Sequence, residues 1–225
     1  MRASSTVEDY LKCIFLAEHE ARMEGAELVP MGRIAARLKV APASVTAMMK
    51  TLAESGLIAY EPYSGVRLLP AGRKLATHVL RRHRLIELFL VNVMGFDWSE
   101  VHSEAELLEH SVSGRMIERM DEMLGHPSVD PHGDPIPSAD GHIELVDHPS
   151  LLKCALNQVV EVVRVTDQNA EFLRFAEREG LMPGSLVEVA ARDETAGSVA
   201  VVSDAREFSL GFPAASKVLV REAAS

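Results

Sequence analysis

Cysteine is nearly absent from this chain. The 225 residues hold two, Cys13 and Cys154, far apart and in no CxxC pair. Such usage fits a reducing cytoplasm, and the default role of each thiol is buried apolar packing. Long hydrophobic runs are absent as well. No stretch approaches the ~18 consecutive apolar residues of a membrane helix, so no membrane partner is expected. The opening MRASSTVEDYLKC lacks the apolar segment of a secretion signal, which again points to the cytoplasm. Overall basic excess is lacking too. The formal net charge is −10, which by itself argues against a nucleic-acid partner.

The distribution of charge argues the other way. Residues 31–75 hold seven basic side chains (Arg33, Arg37, Lys39, Lys50, Arg67, Arg73, Lys74) against Glu54 and Glu61, a local net charge of +5. Residues 76–130 come to −5 and residues 131–225 to −7. A basic island followed by acidic segments suggests one face for phosphates and another for cations. Hydrophobic residues reach 47%, enough for real cores, in one large domain or two to three small ones.

Apolar spacing predicts a helix over 7–21, a short helix over 31–38 and a third over about 43–55, with Gly56 as its stop. Val40-Ala41-Pro42 is the turn between the last two, and Pro42 suits a first helical turn. The period then changes. Residues 57–60 and 66–69 read as strands joined by the loop 61–65. A long helix is expected over about 70–93, a ligand-rich helix over 99–112 and a short one over 113–124. Residues 125–150 are dense in Pro, Gly, Asp and His and read as an ordered loop or linker. Beyond 158 come β-type runs, interrupted by one helix over 169–178. Four or five short strands in about 70 residues suggest a small barrel. The chain is therefore mainly α with small β parts, divided at about 1–73, 74–145 and 146–225.

Helix 31–38, the tight turn and helix 43–55 are expected to form a helix-turn-helix, with the hairpin 57–69 as its wing. The helix over 43–55 would enter a major groove with Pro42, Ala43, Ser44, Thr46 and Ala47 leading. Ser44 and Thr46 can hydrogen-bond bases or phosphates, and the alanines can touch thymine methyls. Lys50, one turn on, suits a phosphate. Tyr63 and Arg67 in the wing are placed for the backbone or minor groove. An ordinary helical hairpin in an all-α core is the plainer alternative, and it leaves the basic island unexplained.

Four residues carry the other chemistry. On one helix His102, Glu106, Glu109 and His110 fall inside an arc of about 100°. His83 and Glu87 repeat the i,i+4 spacing one helix earlier. Imidazole with carboxylate and no thiolate is a ligand set for a divalent first-row metal. A solvated acidic face is the alternative for any one such pair. Two pairs on neighbouring helices, with a third Glu and a third His, favour a metal.

Four motifs occur in order: Leu69-Pro70-x-Gly72-Arg73, Arg82-His83-Arg84-Leu85, His102-x3-Glu106-x2-Glu109-His110, and Pro131-His132-Gly133-x-Pro135-Ile136-Pro137. Together they resemble the metal-dependent repressors of the diphtheria toxin repressor type, manganese transport regulators included. The resemblance covers residues 6 to about 140 closely and 158–222 more loosely, the latter as the small SH3-like, FeoA-type barrel of longer members. It implies a homodimer on double-stranded operator DNA, with no small organic substrate, repressing metal-uptake genes when metal is bound. It implies two metal positions per subunit. Asp9, Glu106, Glu109 and His110 match the primary one. His83, Glu87 and His102 match the ancillary one, with Asp167 or Gln168 as a further ligand from the last domain. Metal shared between the DNA-binding and dimerisation domains would fix their orientation, so metal and DNA affinities would be linked.

Two departures bear on the ion. Iron-sensing members carry Met where Asp9 stands and Cys where Glu106 stands. Losing both sulfurs hardens the site and favours Mn²⁺, with Fe²⁺ as the alternative. Manganese-sensing members often carry Glu at the position of Lys12, and a cationic side chain there argues for two separated mononuclear sites. A dinuclear hydrolase is the remote alternative, since no nucleophile, phosphate loop or HExxH motif accompanies the cluster.

Overall fold

Ser4 opens α1 (Ser5–Met23), its hydroxyl accepting from the Val7 N–H. In the computed structural model, which describes residues 4–203 and 206–223, two compact units are distinguished. One comprises Met1–Arg82 with Pro137–Ile143, and the other His83–Ile136 with Glu144–Ser225.

In the first unit, α1 buries Leu11, Ile14, Phe15 and Ala17 against α2 (Met31–Leu38) and α3 (Pro42–Glu54). Their contributions are Ile34, Val45, Met49 and Leu52, all essentially without exposed surface. Burying each such side chain is worth about 1.5–3 kcal/mol, so this cluster fixes how the two short helices cross. The turn between them is tight. Lys39 takes the left-handed conformation at φ 54°, its N–H and that of Val40 close on α2 carbonyls, and Pro42 starts α3. The wing is β1 (Ile58–Glu61) paired antiparallel with β2 (Gly65–Leu68), Ile58 opposite Leu68. Gly65 is required there, because a Cβ would sit 2.5 Å from the Val29 carbonyl oxygen that binds Val66.

Buried Glu18 of α1 ties the pieces together. Its carboxylate accepts from the Leu68 N–H of the wing and from Arg73 at the start of α4 (Pro70–Asn92). A buried carboxylate is costly unless satisfied in this way.

The division between the units falls within α4. In the second unit α5 (Val101–Leu108) and α6 (Gly114–Met123) pack Val101, Ala105 and Ile117 against Leu85, Ile86 and Leu90. The ligand-rich helix is shorter than the expected 99–112. Asp97 folds the chain into a turn before it by accepting from the Ser99 N–H. After Leu108 the chain unwinds toward Ser113, which caps α6.

The C-terminal part is a five-stranded antiparallel sheet in the order β6-β5-β4-β3-β7. Its strands are β3 (Val159–Val165), β4 (Leu186–Asp193), β5 (Ser198–Ser203), β6 (Arg206–Gly211) and β7 (Val218–Glu222). Helix α7 (Ala170–Arg178) and the single turn α8 (Phe212–Ala215) complete it. Alternating Val160, Val162, Val187, Val189, Val199 and Val201 form its core with Leu173 and Leu181. β6 escapes the sequence pattern because it is an edge strand with only Leu210 buried. Among the described residues no helix is long and apolar enough to cross a membrane.

The loop 129–136 is drawn onto this sheet. β3 carries a bulge between Val162 and Arg164, and Gly133 lies against the Val163 carbonyl there. The Val165 N–H donates to the His132 carbonyl at 2.9 Å. At φ +85°, Gly133 could not carry a Cβ, which would stand 1.9 Å from the Val163 oxygen. Gly133→Ala should therefore destabilise the protein by about 2 kcal/mol or more. Thermal unfolding checks this, and an unchanged midpoint would show that the loop is not held against β3.

Candidate metal centre and nucleic-acid interface

The inward residues of α3, Val45, Met49 and Leu52, leave Pro42, Ala43, Ser44, Ala47 and Lys50 exposed on the opposite side. Thr46 is half-buried, and its hydroxyl donates to the Pro42 carbonyl at 3.1 Å, leaving lone pairs to accept. Tyr63 is fully exposed at the wing tip, at φ 68°, and Arg67 is exposed on β2. The basic island is weaker than its count suggests. Arg33 pairs with Glu24 at 2.6 Å, Arg37 with Glu20 at 2.9 Å, and Arg73 with Glu18, all carboxylates of α1 or its cap. The outward positive charge is left to Lys39, Lys50, Arg67 and Lys74, which are exposed.

In the second unit, His83 and Glu87 of α4 meet His102 of α5. One donor atom from each lies within 4.8 Å of the others. His83 Nε2 is 2.9 Å and His102 Nδ1 3.1 Å from the same oxygen, Glu87 Oε1. The other nitrogen of His83 is 2.6 Å from Glu109 Oε2. Glu87 and Glu109 are both completely buried. Burial alone would raise the Glu87 carboxyl. The charge of His83 and the hydrogen bonds from His102 and His83 outweigh it and hold the group well below the usual carboxylate range. It is an anion inside the protein, stabilised by the surrounding imidazoles.

Glu109 and His110 follow α5, with His110 Nε2 3.2 Å from Glu109 Oε1. Glu106 is exposed and lies 3.6 Å from His102 Nε2. Asp9 stands on α1 of the first unit, half-buried. Asp167 Oδ2 is 2.6 Å from Lys217 Nζ, and Gln168 donates to Asp134 Oδ2 at 3.3 Å. Both thiols are poor donors: burial pushes Cys13 up to about 11 and raises Cys154.

Three polar residues of the loop 129–136 went unread as site residues in the sequence. Asp130, His132 and Asp134 are all buried, with Arg84 of α4 between the two carboxylates, 3.6 Å from Asp130 and 3.3 Å from Asp134. The only signal was their presence in the last of the four motifs. A Pro- and Gly-rich run carries no period from which burial could be read.

Comparison with known proteins agrees with this architecture. Residues 3–66 match the family described as iron dependent repressor, N-terminal DNA binding domain, and residues 69–138 its metal binding and dimerisation domain. Residues 150–222 match the FeoA domain. The diphtheria toxin repressor of Corynebacterium diphtheriae is 31% identical over 203 residues, 84% of this chain and 85% of that protein. The iron-dependent repressor IdeR of Mycobacterium tuberculosis is 36% identical over 141 residues, 62% of this chain and 57% of that one. Among solved structures, a manganese-dependent transcriptional repressor in complex with manganese is 38% identical, with a TM-score of 0.87 over 96% of this chain and all of that one. The manganese regulator SloR is 30% identical, with a TM-score of 0.76 over 99% of this chain and all of that one. These relatives are transcriptional repressors, not enzymes, and the chain belongs to the iron-dependent, or diphtheria toxin, repressor family as a metal-dependent DNA-binding repressor with a winged helix, a helical metal-binding part and a C-terminal SH3-like domain.

Proposed function

We propose that this protein is a Mn²⁺-dependent repressor that binds operator DNA as a homodimer in the cytoplasm and silences metal-uptake genes when metal is plentiful. The observation that carries the choice of ion is the donor set. The primary and ancillary donors named below are all carboxylates or imidazoles, and both thiols are buried, with their pKa values raised. Oxygen-rich sites suit Mn²⁺, whereas sulfur donors would shift preference toward softer ions. Asp9, Glu106, Glu109 and His110 are proposed as the primary ligands, and His83, Glu87 and His102 as the ancillary ones. A bound divalent cation supplies the positive charge that lets these carboxylates lie together. The residues themselves fix the number and direction of the donors. Because DNA and metal favour one conformation, each raises affinity for the other equally.

A second reading, an Fe²⁺-dependent regulator, is favoured by the iron-dependent repressors among the curated relatives. Anoxic titration of operator binding with Mn²⁺, Fe²⁺, Co²⁺ and Zn²⁺ separates the two. Activation by Fe²⁺ at lower free concentration than by Mn²⁺ would decide for iron.

On the DNA side, α3 presents Ser44 and Thr46 for bases and Lys50 for phosphate, with Tyr63 and Arg67 in the wing.

Glu106→Ala should abolish Mn²⁺-dependent operator binding while gel filtration still shows a dimer. Retention of the wild-type response to Mn²⁺ would remove Glu106 from the primary site. Lys50→Ala should weaken binding to all sequences alike and lower the salt slope by about 0.9, the worth of one phosphate contact. Coincident slopes for mutant and wild type would place Lys50 away from the phosphates.

A further inference from the structure

The loop 129–136 brings a second set of ligand atoms to Glu87. Glu87, Asp130 and His132 each offer one ligand atom within 4.8 Å of the other two, and at most 3% of any of them is exposed. One atom of each has no hydrogen-bond partner: Glu87 Oε2, Asp130 Oδ2 and His132 Nδ1. The other atoms are committed. Glu87 Oε1 faces His83 and His102. Asp130 Oδ1 accepts the N–H groups of His132 at 2.8 Å and Asp134 at 2.9 Å. His132 Nε2 lies 2.9 Å from the Trp98 carbonyl oxygen, which can only accept, so the ring proton sits on Nε2. In the neutral ring Nδ1 then presents a bare lone pair, and the ring is held in place by stacking on Trp98, centroids 5.4 Å apart. Three residues whose ligand atoms converge thus each keep one buried atom without a hydrogen-bond partner, and with the ring neutral and both carboxyls ionised none of the three atoms is a donor. Arg84 does not fill the role. Its Nε stays 3.6 Å from Asp130 Oδ2, and its guanidinium hydrogen-bonds Asp134 and the Pro135 carbonyl.

Buried acceptors left unpaired are destabilising, and more so when charged. One bound cation relieves all three at once. We propose that Glu87, Asp130 and His132 hold a further divalent cation inside the second unit, with the Glu87 carboxylate bridging it to the His83–His102 cluster. Two carboxylate oxygens and one imidazole are a hard set suited to Mn²⁺ or a neighbouring first-row ion. Burial, with Asp134 and Glu87 nearby, raises the Asp130 carboxyl well above its usual range, so the competing occupant is a proton on Asp130. The site does not depend on which metal activates DNA binding.

The experiment uses the full-length protein with Mn²⁺ as probe. Crystals grown with saturating Mn²⁺ and measured above and below the manganese absorption edge should show an anomalous peak among Glu87, Asp130 and His132. Metal analysis after gel filtration should show wild type holding one more Mn²⁺ per protomer than Asp130→Asn or His132→Ala. His83→Ala should retain the peak beside His132. A wild-type map with no peak there overturns the proposal and leaves a proton as the occupant. Equal metal content in wild type and in folded Asp130→Asn overturns it as well. Should either variant fail to fold, the wild-type map decides alone. Operator titrations report on the proposed function separately, so either reading can fail without the other.

Discussion

The burial of negative charge is the constraint on which the polar interior of the second unit depends. Glu87 and Glu109 have no exposed surface, and Asp130 and Asp134 have almost none. A carboxylate moved from water into protein loses several kcal/mol of solvation unless positive charge or hydrogen-bond donors replace it. His83 lies between Glu87 and Glu109, and Arg84, next in the chain, serves Asp130 and Asp134. Two adjacent residues of one helix thus serve two acidic clusters, because a step of about 100° sends their side chains in different directions. Arg164 of β3 adds a second cation at Asp134. These arrangements neutralise part of the charge and leave Glu87 Oε2 and Asp130 Oδ2 without hydrogen-bond partners.

The supporting scaffold follows from that need. The bulge in β3 frees the Val163 carbonyl from the ladder and lets a glycine approach it. That approach carries His132 and Asp134 inward, and two backbone N–H groups aim Asp130. A loop so rich in proline and glycine would ordinarily lie in solvent. Here tertiary contacts pull it into the interior, and its polar side chains acquire chemistry that exposed ones would lack.

Much of this was legible in the sequence, and the reasons are particular. The helix-turn-helix showed itself because α2 and α3 bury regularly spaced residues and Pro42 marks the junction. His83 and Glu87 showed themselves through i,i+4 spacing on a long helix. The second cluster did not, because Asp130 and His132 are brought to Glu87 by a contact with a strand some thirty residues further on. β6 was invisible because an edge strand with one buried residue has no period to detect. The basic island was read correctly as a count but not as a field. Glu18, Glu20 and Glu24, outside the counted window, offset Arg73, Arg37 and Arg33.

Helix α1 has one further consequence. Glu18 grips the first β2-to-α4 corner through Leu68 and Arg73, while Asp9 stands nine residues earlier on the same helix. Nine residues are about two and a half turns, or roughly 13 Å, which places the two carboxylates on opposite sides of the rod. Asp9, the wing and the start of α4 belong to one compact unit, so Tyr63 and Arg67 are carried on the same body as Asp9.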